Sequence, residues 1–390
     1  MKIPLLDLKA QYAAIKDELE PKVLEVFANG GFILGPEVEG LEKELADYLG
    51  CRRAVGVSSG SDALIISLMA LGIGPGDAVV TTPFTFFATA GAISRLGARP
   101  IFCDIEETSF NLDAGRVAEI LDANAKKGHP YKIKAVIPVH LYGQCADMSG
   151  ILEASRRHGV AVIEDAAQAV GAEYPASGGI RKAGSMGDMG TLSFYPTKNL
   201  GGAGDGGMVL TDDQALADRL RALRTHGERQ RYYYEFIGGN FRLDALQAAV
   251  LRIKLRHLES WQKKRRANAS LYDRNFKETG LEAEGLITTP KALYKDSGIT
   301  HFHTYHQYVV RARKRDQLMA FLREREIGTS VFYPLPLHVQ KCFEHLGYKK
   351  GDLPVSEKAS EDVLALPIYP ELGPDQVDWV TTSISDFYRR

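Results

Sequence analysis

The stretch Arg53-Ala54-Val55-Gly56-Val57-Ser58-Ser59-Gly60-Ser61-Asp62-Ala63-Leu64 passes from a buried-strand pattern, through small polar residues, into the start of an apolar helix. The helical pattern runs over 63–71 and stops at Gly72-Ile73-Gly74-Pro75-Gly76-Asp77, where glycine and proline break any regular element. The same unit then repeats. Strand-like runs at 78–81, 100–103, 133–139 and 160–163 alternate with helix-length segments such as 114–125 and 148–158. Alternation of this kind predicts an α/β fold with a mostly parallel sheet covered on both faces by helices. In such a sheet, reactive residues gather at the carboxyl ends of the strands.

Outward from this core, residues 243–277 contain neither glycine nor proline and read as one long helix or two abutting ones. Strand patterns at 307–311 and 330–333 and helical patterns at 315–325 and 374–388 predict a smaller α/β domain. An amphipathic helix is expected over 8–28. The expected organisation is an N-terminal arm and helix (1–35), a large domain (36–255) and a small C-terminal domain (256–390).

Composition narrows the classes. The chain has 390 residues, 45% of them hydrophobic and 25% charged, which is ordinary for a globular protein. Lys plus Arg number 48 against 49 Asp plus Glu, a net charge of −1, so no bulk positive field draws in nucleic acid or an anionic membrane. The most apolar stretch, 63–74, falls well short of the ~20 residues of a membrane helix. The start, Met1-Lys2-Ile3-Pro4-Leu5-Leu6-Asp7, is unlike a signal peptide. Cys51, Cys103, Cys145 and Cys342 form no C-x-x-C pair and read as buried reduced thiols, the pattern of a soluble cytoplasmic protein.

Four segments carry chemistry. In Ser193-Phe194-Tyr195-Pro196-Thr197-Lys198-Asn199-Leu200-Gly201-Gly202 a strand runs into a turn, a lysine stands past it, and glycines leave room against the backbone. A lysine there can form an imine if its surroundings lower its pKa; it can equally be a solvated loop residue. Val162-Ile163-Glu164-Asp165-Ala166-Ala167-Gln168 ends a strand in two acids, either of which can hold a protonated ring nitrogen or cap a helix. Ser58 to Asp62 reads as an anion cup at a helix N-terminus or as an ordinary cap. Thr82-Pro83-Phe84-Thr85-Phe86-Phe87-Ala88-Thr89 offers an aromatic to a planar ligand, or to the core. Together they supply an anion cup, a ring stacker, a carboxylate and a lysine at one sheet edge, the set that pyridoxal phosphate requires.

Two other patterns are weighed against this. Gly202-Ala203-Gly204-Asp205-Gly206-Gly207 matches G-x-G-x-x-G but precedes a strand pattern, so a dinucleotide site is not expected. His301, His303 and His306 resemble a metal cluster, but on an extended strand His306 points away from the other two, and no metal is expected.

The chain closely resembles the DegT/DnrJ/EryC1/StrS family of sugar aminotransferases, which use pyridoxal phosphate on the fold-type-I (aspartate aminotransferase-like) scaffold. Besides the segments above, the resemblance rests on Pro4-Leu5-Leu6-Asp7-Leu8, Ile33-Leu34-Gly35-Pro36-Glu37-Val38, Pro138-Val139-His140-Leu141-Tyr142-Gly143, Asn240-Phe241-Arg242-Leu243-Asp244 and Tyr333-Pro334-Leu335-Pro336-Leu337-His338. It implies Lys198 as the Schiff-base lysine, Asp165 on the pyridine nitrogen, Gln168 at the ring hydroxyl or face, and Phe86 stacked on the ring. Gly60, Ser61 and Ser193 would take the phosphate, and Asn240 would reach it across an obligate homodimer with shared active sites. Arg231, Tyr232, His306, Tyr333 and His338 fall in segments that touch the nucleotide-sugar in relatives. Many relatives carry histidine where this chain has Phe332, so one substrate hydrogen bond is expected to be absent.

The implied reaction moves an amino group from L-glutamate to a keto-sugar carried on UDP or dTDP. Arg231 and Arg242 are candidates for binding the negative charges. His140 to Met148 and the run 246–261 resemble the enzymes that act on 3-keto rather than 4-keto sugars. Two other readings stand beside it: a sugar dehydratase on the same fold, whose members carry histidine in place of Lys198, and a cofactor-binding regulator or sensor without transaminase activity.

Overall fold

The computed structural model describes residues 1–126 and 130–390. Asp7 caps the first helix, α1 (Leu8–Asn29), its carboxylate accepting from the Lys9 and Ala10 N–H groups, and α2 (Pro36–Leu49) follows. The large lobe then alternates: β1 (Arg53–Val57), α3 (Gly60–Ala70), β2 (Asp77–Thr81), α4 (Ala88–Arg95), β3 (Arg99–Phe102), α5 (Ala114–Asn124), β4 (Lys132–Ile137), α6 (Met148–His158) and β5 (Ala161–Asp165). A hairpin, β6 (Glu173–Ala176) and β7 (Gly179–Lys182), precedes β8 (Met189–Ser193), β9 (Gly207–Thr211) and α7 (Gln214–Arg224).

The central sheet has seven strands in the order β1-β9-β8-β5-β4-β2-β3. β8, β5, β4, β2 and β3 run parallel, and β9 is antiparallel to both of its neighbours, β1 and β8. Successive strand residues point to opposite faces. Val80, Val136 and Val162 therefore enter one core, and Val79, Ala135, Ile137 and Ile163 the other. Both faces are dry, as a parallel sheet requires.

A short hairpin, β10 (Glu228–Gln230) and β11 (Tyr233–Tyr234), leads towards α8 (Ala245–Glu278), a single helix of 34 residues. The expected domain boundary at 255/256 falls inside this helix. Its first half sends Ala248, Leu251 and Leu258 into the large-lobe core; its second half sends Ala269, Tyr272 and Phe276 into the small-lobe core. The small lobe holds a sheet of β12 (Ile287–Thr288), β13 (Tyr308–Ala312) and β14 (Val363–Leu366), with α9 (Arg315–Glu324), α10 (Pro354–Asp362) and α11 (Pro374–Arg389). Ile3 is buried in this lobe and bridges Ile327, so the first residues of the expected N-terminal arm belong to it. The lobes also meet at Gly143, where φ is +113° and a Cβ would lie 2.1 Å from Thr304 Oγ1. Only glycine permits that approach.

Two expectations are corrected. Residues 330–333 are not a strand; Ser330 makes one bridge, to Ala365 on β14. The true strand, Val363-Leu364-Ala365-Leu366, follows α10 directly, and four apolar residues carry no period that tells a strand from a helix end. Among the cysteines only Cys103 and Cys145 are buried, while Cys342 is exposed. Among the described residues, no helix is long and apolar enough to cross a membrane.

Glu164, at the end of β5, is fully buried. It accepts hydrogen bonds from the N–H groups of Gly184 (2.8 Å), Met186 (2.6 Å) and Gly187 (2.7 Å) and lies 2.8 Å from His140 Nε2. Replacing Glu164 with Ala strands these groups without partners and is expected to cost about 3–5 kcal/mol. Denaturant unfolding monitored by circular dichroism should show the loss; an unchanged midpoint would contradict the account.

Candidate active site

The two acids ending β5 part company because adjacent strand residues face opposite ways. Glu164 turns into the structural network just described. Asp165, 6% exposed, turns towards the carboxyl edge of the sheet. Thr89 Oγ1 donates to its Oδ2 at 2.8 Å, and the Ala167 N–H donates to its Oδ1 at 3.2 Å. Because Thr89 spends its proton on the carboxylate, Thr85, 3.1 Å away, donates to Thr89. This threonine pair was not anticipated. The signal was available: Thr85 and Thr89 stand four apart at the mouth of α4, next to the aromatic segment.

Lys198 stands past β8 in a turn closed by its own N–H donating to the Tyr195 carbonyl at 2.8 Å. From α8, Lys254 Nζ donates to the Gly201 carbonyl at 2.7 Å, and Gln247 Oε1 accepts from the Ala203 N–H at 2.8 Å, so the long helix secures the loop. Burial of the Lys198 amine lowers its pKa to about 8, although the negative charge of Asp165 works in the opposite direction. Lys198 is thus a partly buried amine facing a carboxylate and not a solvated loop lysine.

Gln168 follows on the same loop as Asp165. Its Nε2 donates to Tyr333 Oη at 3.1 Å, while its Oε1 is enclosed without a partner. Tyr333 packs edge-on to the buried Phe84, with ring centroids 5.9 Å apart. His306 is buried beside this group, with Nδ1 3.0 Å from Asn199 Oδ1.

The cup at α3 is built by Ser59, whose Oγ accepts from the Asp62 N–H at 3.0 Å. The Asp62 carboxylate folds back to accept from Ser58 Oγ (2.7 Å) and Ser59 Oγ (2.9 Å). The N–H groups of Gly60 and Ser61 have no partner among the described residues. A Cβ at position 60 would lie 2.5 Å from Ser193 Cβ, so glycine is what lets the helix start meet the end of β8. Phe86 is 60% exposed, whereas Phe84 is fully buried: the segment divides its aromatics between core and cleft.

Not every expected residue joins this group. Arg231 and Tyr232 lie exposed at the β10–β11 hairpin, the guanidinium 5.1 Å from the Tyr232 ring centroid. Asn240 is also exposed, on the strand-like segment that bridges Thr225. His338 is 1% exposed and pairs through Nε2 with Glu357 Oε1 at 3.0 Å. The three histidines at 301–306 do not lie on a strand; β13 begins at Tyr308. His301 pairs with Glu259 at 3.0 Å and His303 Nδ1 accepts from the Tyr305 N–H at 2.9 Å, so each has its own partner. The G-x-G-x-x-G run leads into β9, as expected.

Pyridoxal phosphate suits this set of groups. The free N–H groups at the start of α3 match a phosphate, and the uncovered Phe86 ring matches a planar heterocycle. Asp165 matches a protonated ring nitrogen. The enclosed Gln168 Oε1 lacks a donor that a ring hydroxyl supplies, and an amine with a pKa near 8 can attack an aldehyde.

Comparison with known proteins agrees. Residues 13–385 match the DegT/DnrJ/EryC1/StrS aminotransferase family. A Geobacillus stearothermophilus protein described as a pleiotropic regulatory protein is 47% identical over 100% of this chain and 99% of its own. The UDP-N-acetyl-3-dehydro-alpha-D-glucosamine 3-aminotransferase of Acidithiobacillus ferrooxidans is 39% identical over 98% of this chain and 97% of its own. A Brucella abortus aminotransferase of the family superposes with a TM-score of 0.91 at 36% identity, covering all of both chains. The Bacillus subtilis protein NtdA, solved with bound cofactor PMP, superposes with a TM-score of 0.84 at 30% identity, covering 99% of this chain and 85% of that one. The sheet, the amine–carboxylate pair and these likenesses converge: the chain belongs to the DegT/DnrJ/EryC1/StrS family of pyridoxal-phosphate-dependent sugar aminotransferases.

Proposed function

We propose that the protein transfers an amino group from L-glutamate to C3 of a 3-keto-sugar carried on a nucleoside diphosphate, UDP or dTDP. The observation that carries this reading is the lowered pKa of the Lys198 amine opposite Asp165 at the sheet edge. The choice of C3 draws on the 3-dehydro sugar named for the Acidithiobacillus relative.

When bound, pyridoxal phosphate supplies the electron sink that lets a C–H bond beside nitrogen break. The chain supplies the rest. The α3 N-terminus with Gly60, Ser61 and Ser193 binds the phosphate, and Phe86 covers one ring face. Asp165, held by Thr89 and Ala167, keeps the ring nitrogen protonated. Gln168, oriented by Tyr333, binds the ring hydroxyl. Lys198 would hold the cofactor through its aldehyde carbon, and its amine would relay protons, from the donor α-carbon to the cofactor carbon that bears nitrogen in one half-reaction and from that carbon to the sugar carbon in the other.

The donor carboxylate and the diphosphate need cations, for which Arg231 and Arg242 are the candidates; Tyr232, His306 and Tyr333 complete the substrate side. Arg231, Tyr232 and Asn240 lie on a surface that also exposes Tyr233, Tyr234 and Ile237, the last 93% exposed. An apolar patch of this kind fits burial against a second copy, which would bring Asn240 to the partner's phosphate cup. The regulatory description of the Geobacillus relative keeps a sensor reading in view, but the poised lysine favours an enzyme.

Borohydride reduction followed by peptide mass spectrometry should place the cofactor adduct on Lys198. Adding L-glutamate should bleach the bound cofactor's visible band and release 2-oxoglutarate. Replacing Lys198 with Ala is expected to lower kcat by at least about 10³-fold, with the melting temperature little changed; a variant of near-normal kcat would end the proposal.

Protonation gives a separate test. With a pKa of about 8, roughly a tenth of the Lys198 amine is free at pH 7, against roughly three in ten thousand for an ordinary lysine. The rate at which cofactor-stripped protein takes up pyridoxal phosphate should climb with pH and level off above about 8. Asp165→Asn removes the charge that raises the pKa, so its plateau should begin at lower pH. A plateau near that of free lysine would show that burial does not govern the amine.

A further inference from the structure

Asn199, the residue after Lys198, is 5% exposed and uses both ends of its carboxamide. Nδ2 lies 3.0 Å from the Thr304 carbonyl oxygen, and Oδ1 lies 3.0 Å from His306 Nδ1. A backbone carbonyl can only accept, so the NH₂ end faces Thr304 and the oxygen faces the ring. Thr304 cannot turn away: its N–H donates to the Gly143 carbonyl at 2.8 Å, and its Oγ1 donates to the Gln168 carbonyl at 2.9 Å. His306 must therefore carry a proton on Nδ1.

The ring is 7% exposed, and the charged groups that bear on it are Lys198 and Arg265. Arg265 is committed to the Tyr305 carbonyl (3.1 Å) and the Ile368 carbonyl (2.8 Å). Burial first, then these two positive charges, hold the imidazole well below its usual pKa, so it is neutral near pH 7. A neutral ring protonated at Nδ1 carries its lone pair on Nε2, which has no protein partner among the described residues and is not one of the enclosed unpaired atoms.

We propose that Asn199 is a positioning residue that holds His306 in the Nδ1–H tautomer and so keeps Nε2 as a hydrogen-bond acceptor on the substrate side of the site. The positioning role rests on the proposed reaction; the tautomer does not.

The test labels the full-length protein with ¹⁵N-histidine and identifies the His306 signals with His306→Gln. Near neutral pH the ring should be uncharged, protonated at Nδ1 and bare at Nε2. A proton on Nε2, or a charged ring, would overturn the assignment. Asn199→Leu should yield mixed tautomers, whereas Asn199→Asp restores an acceptor, should return the proton to Nδ1 and should move the ring's titration upward. Should Asn199→Leu not fold, the wild-type and Asn199→Asp spectra still decide the matter. In turnover, Asn199→Leu should lower kcat about tenfold with KM within about twofold, and Asn199→Asp should recover part of the loss. A wild-type kcat in the Leu variant would overturn the positioning role. Inactivity of the unaltered protein with amino donors would instead count against the proposed reaction, leaving the spectra to judge Asn199.

Discussion

The site depends on one opposition: an amine taken out of water beside a single carboxylate. Desolvation alone would push Lys198 further towards the neutral form, and the Asp165 charge limits the fall. The balance leaves an amine that is unprotonated often enough to react and protonated often enough to return a proton. Asp165 can play its part only if its own geometry does not drift, and the Thr85–Thr89 chain and the Ala167 N–H provide that.

The surrounding scaffold serves this opposition. Parallel strands bring the ends of β1, β2, β5 and β8 to one edge, so residues far apart in the chain share a small volume. The α8 helix, which joins both cores, also grips the loop after Lys198 through Lys254 and Gln247. The small lobe contributes from the other side. The segment around Thr304 and His306 is tied to Gly143, Gln168 and Asn199, which makes the lobe joint part of the site wall. A family resemblance names the lysine and the acid, but it does not show that the joint and the catalytic loop share hydrogen bonds.

Much of this was legible in the chain. The βα repeat from 53 to 165 follows from apolar runs too short for helices, punctuated by glycine and proline. The long helix over 243–277 follows from the absence of both, and its observed span is Ala245–Glu278. Other features were not legible. The strand Val363–Leu366 has no period of its own and exists because β13 offers it an edge. Local chemistry left Glu164 and Asp165 interchangeable, and only the family resemblance chose Asp165; alternation about the strand separates them physically once the sheet assigns the faces. The pairing of His338 with Glu357 also joins residues whose contact no local pattern announces.

Local chemistry in the sequence therefore determined which residue types were available: a lysine past a strand, acids at a strand end, small residues opening a helix, an aromatic beside them. Those features depend on spacing and composition within a few residues, which the chain carries wherever it folds. Tertiary structure alone decided the protonation of Lys198, the partner of Asp165 and the proton position on His306. Each of these depends on burial and on groups brought from distant segments, and neither burial nor distance through space is written in the order of residues.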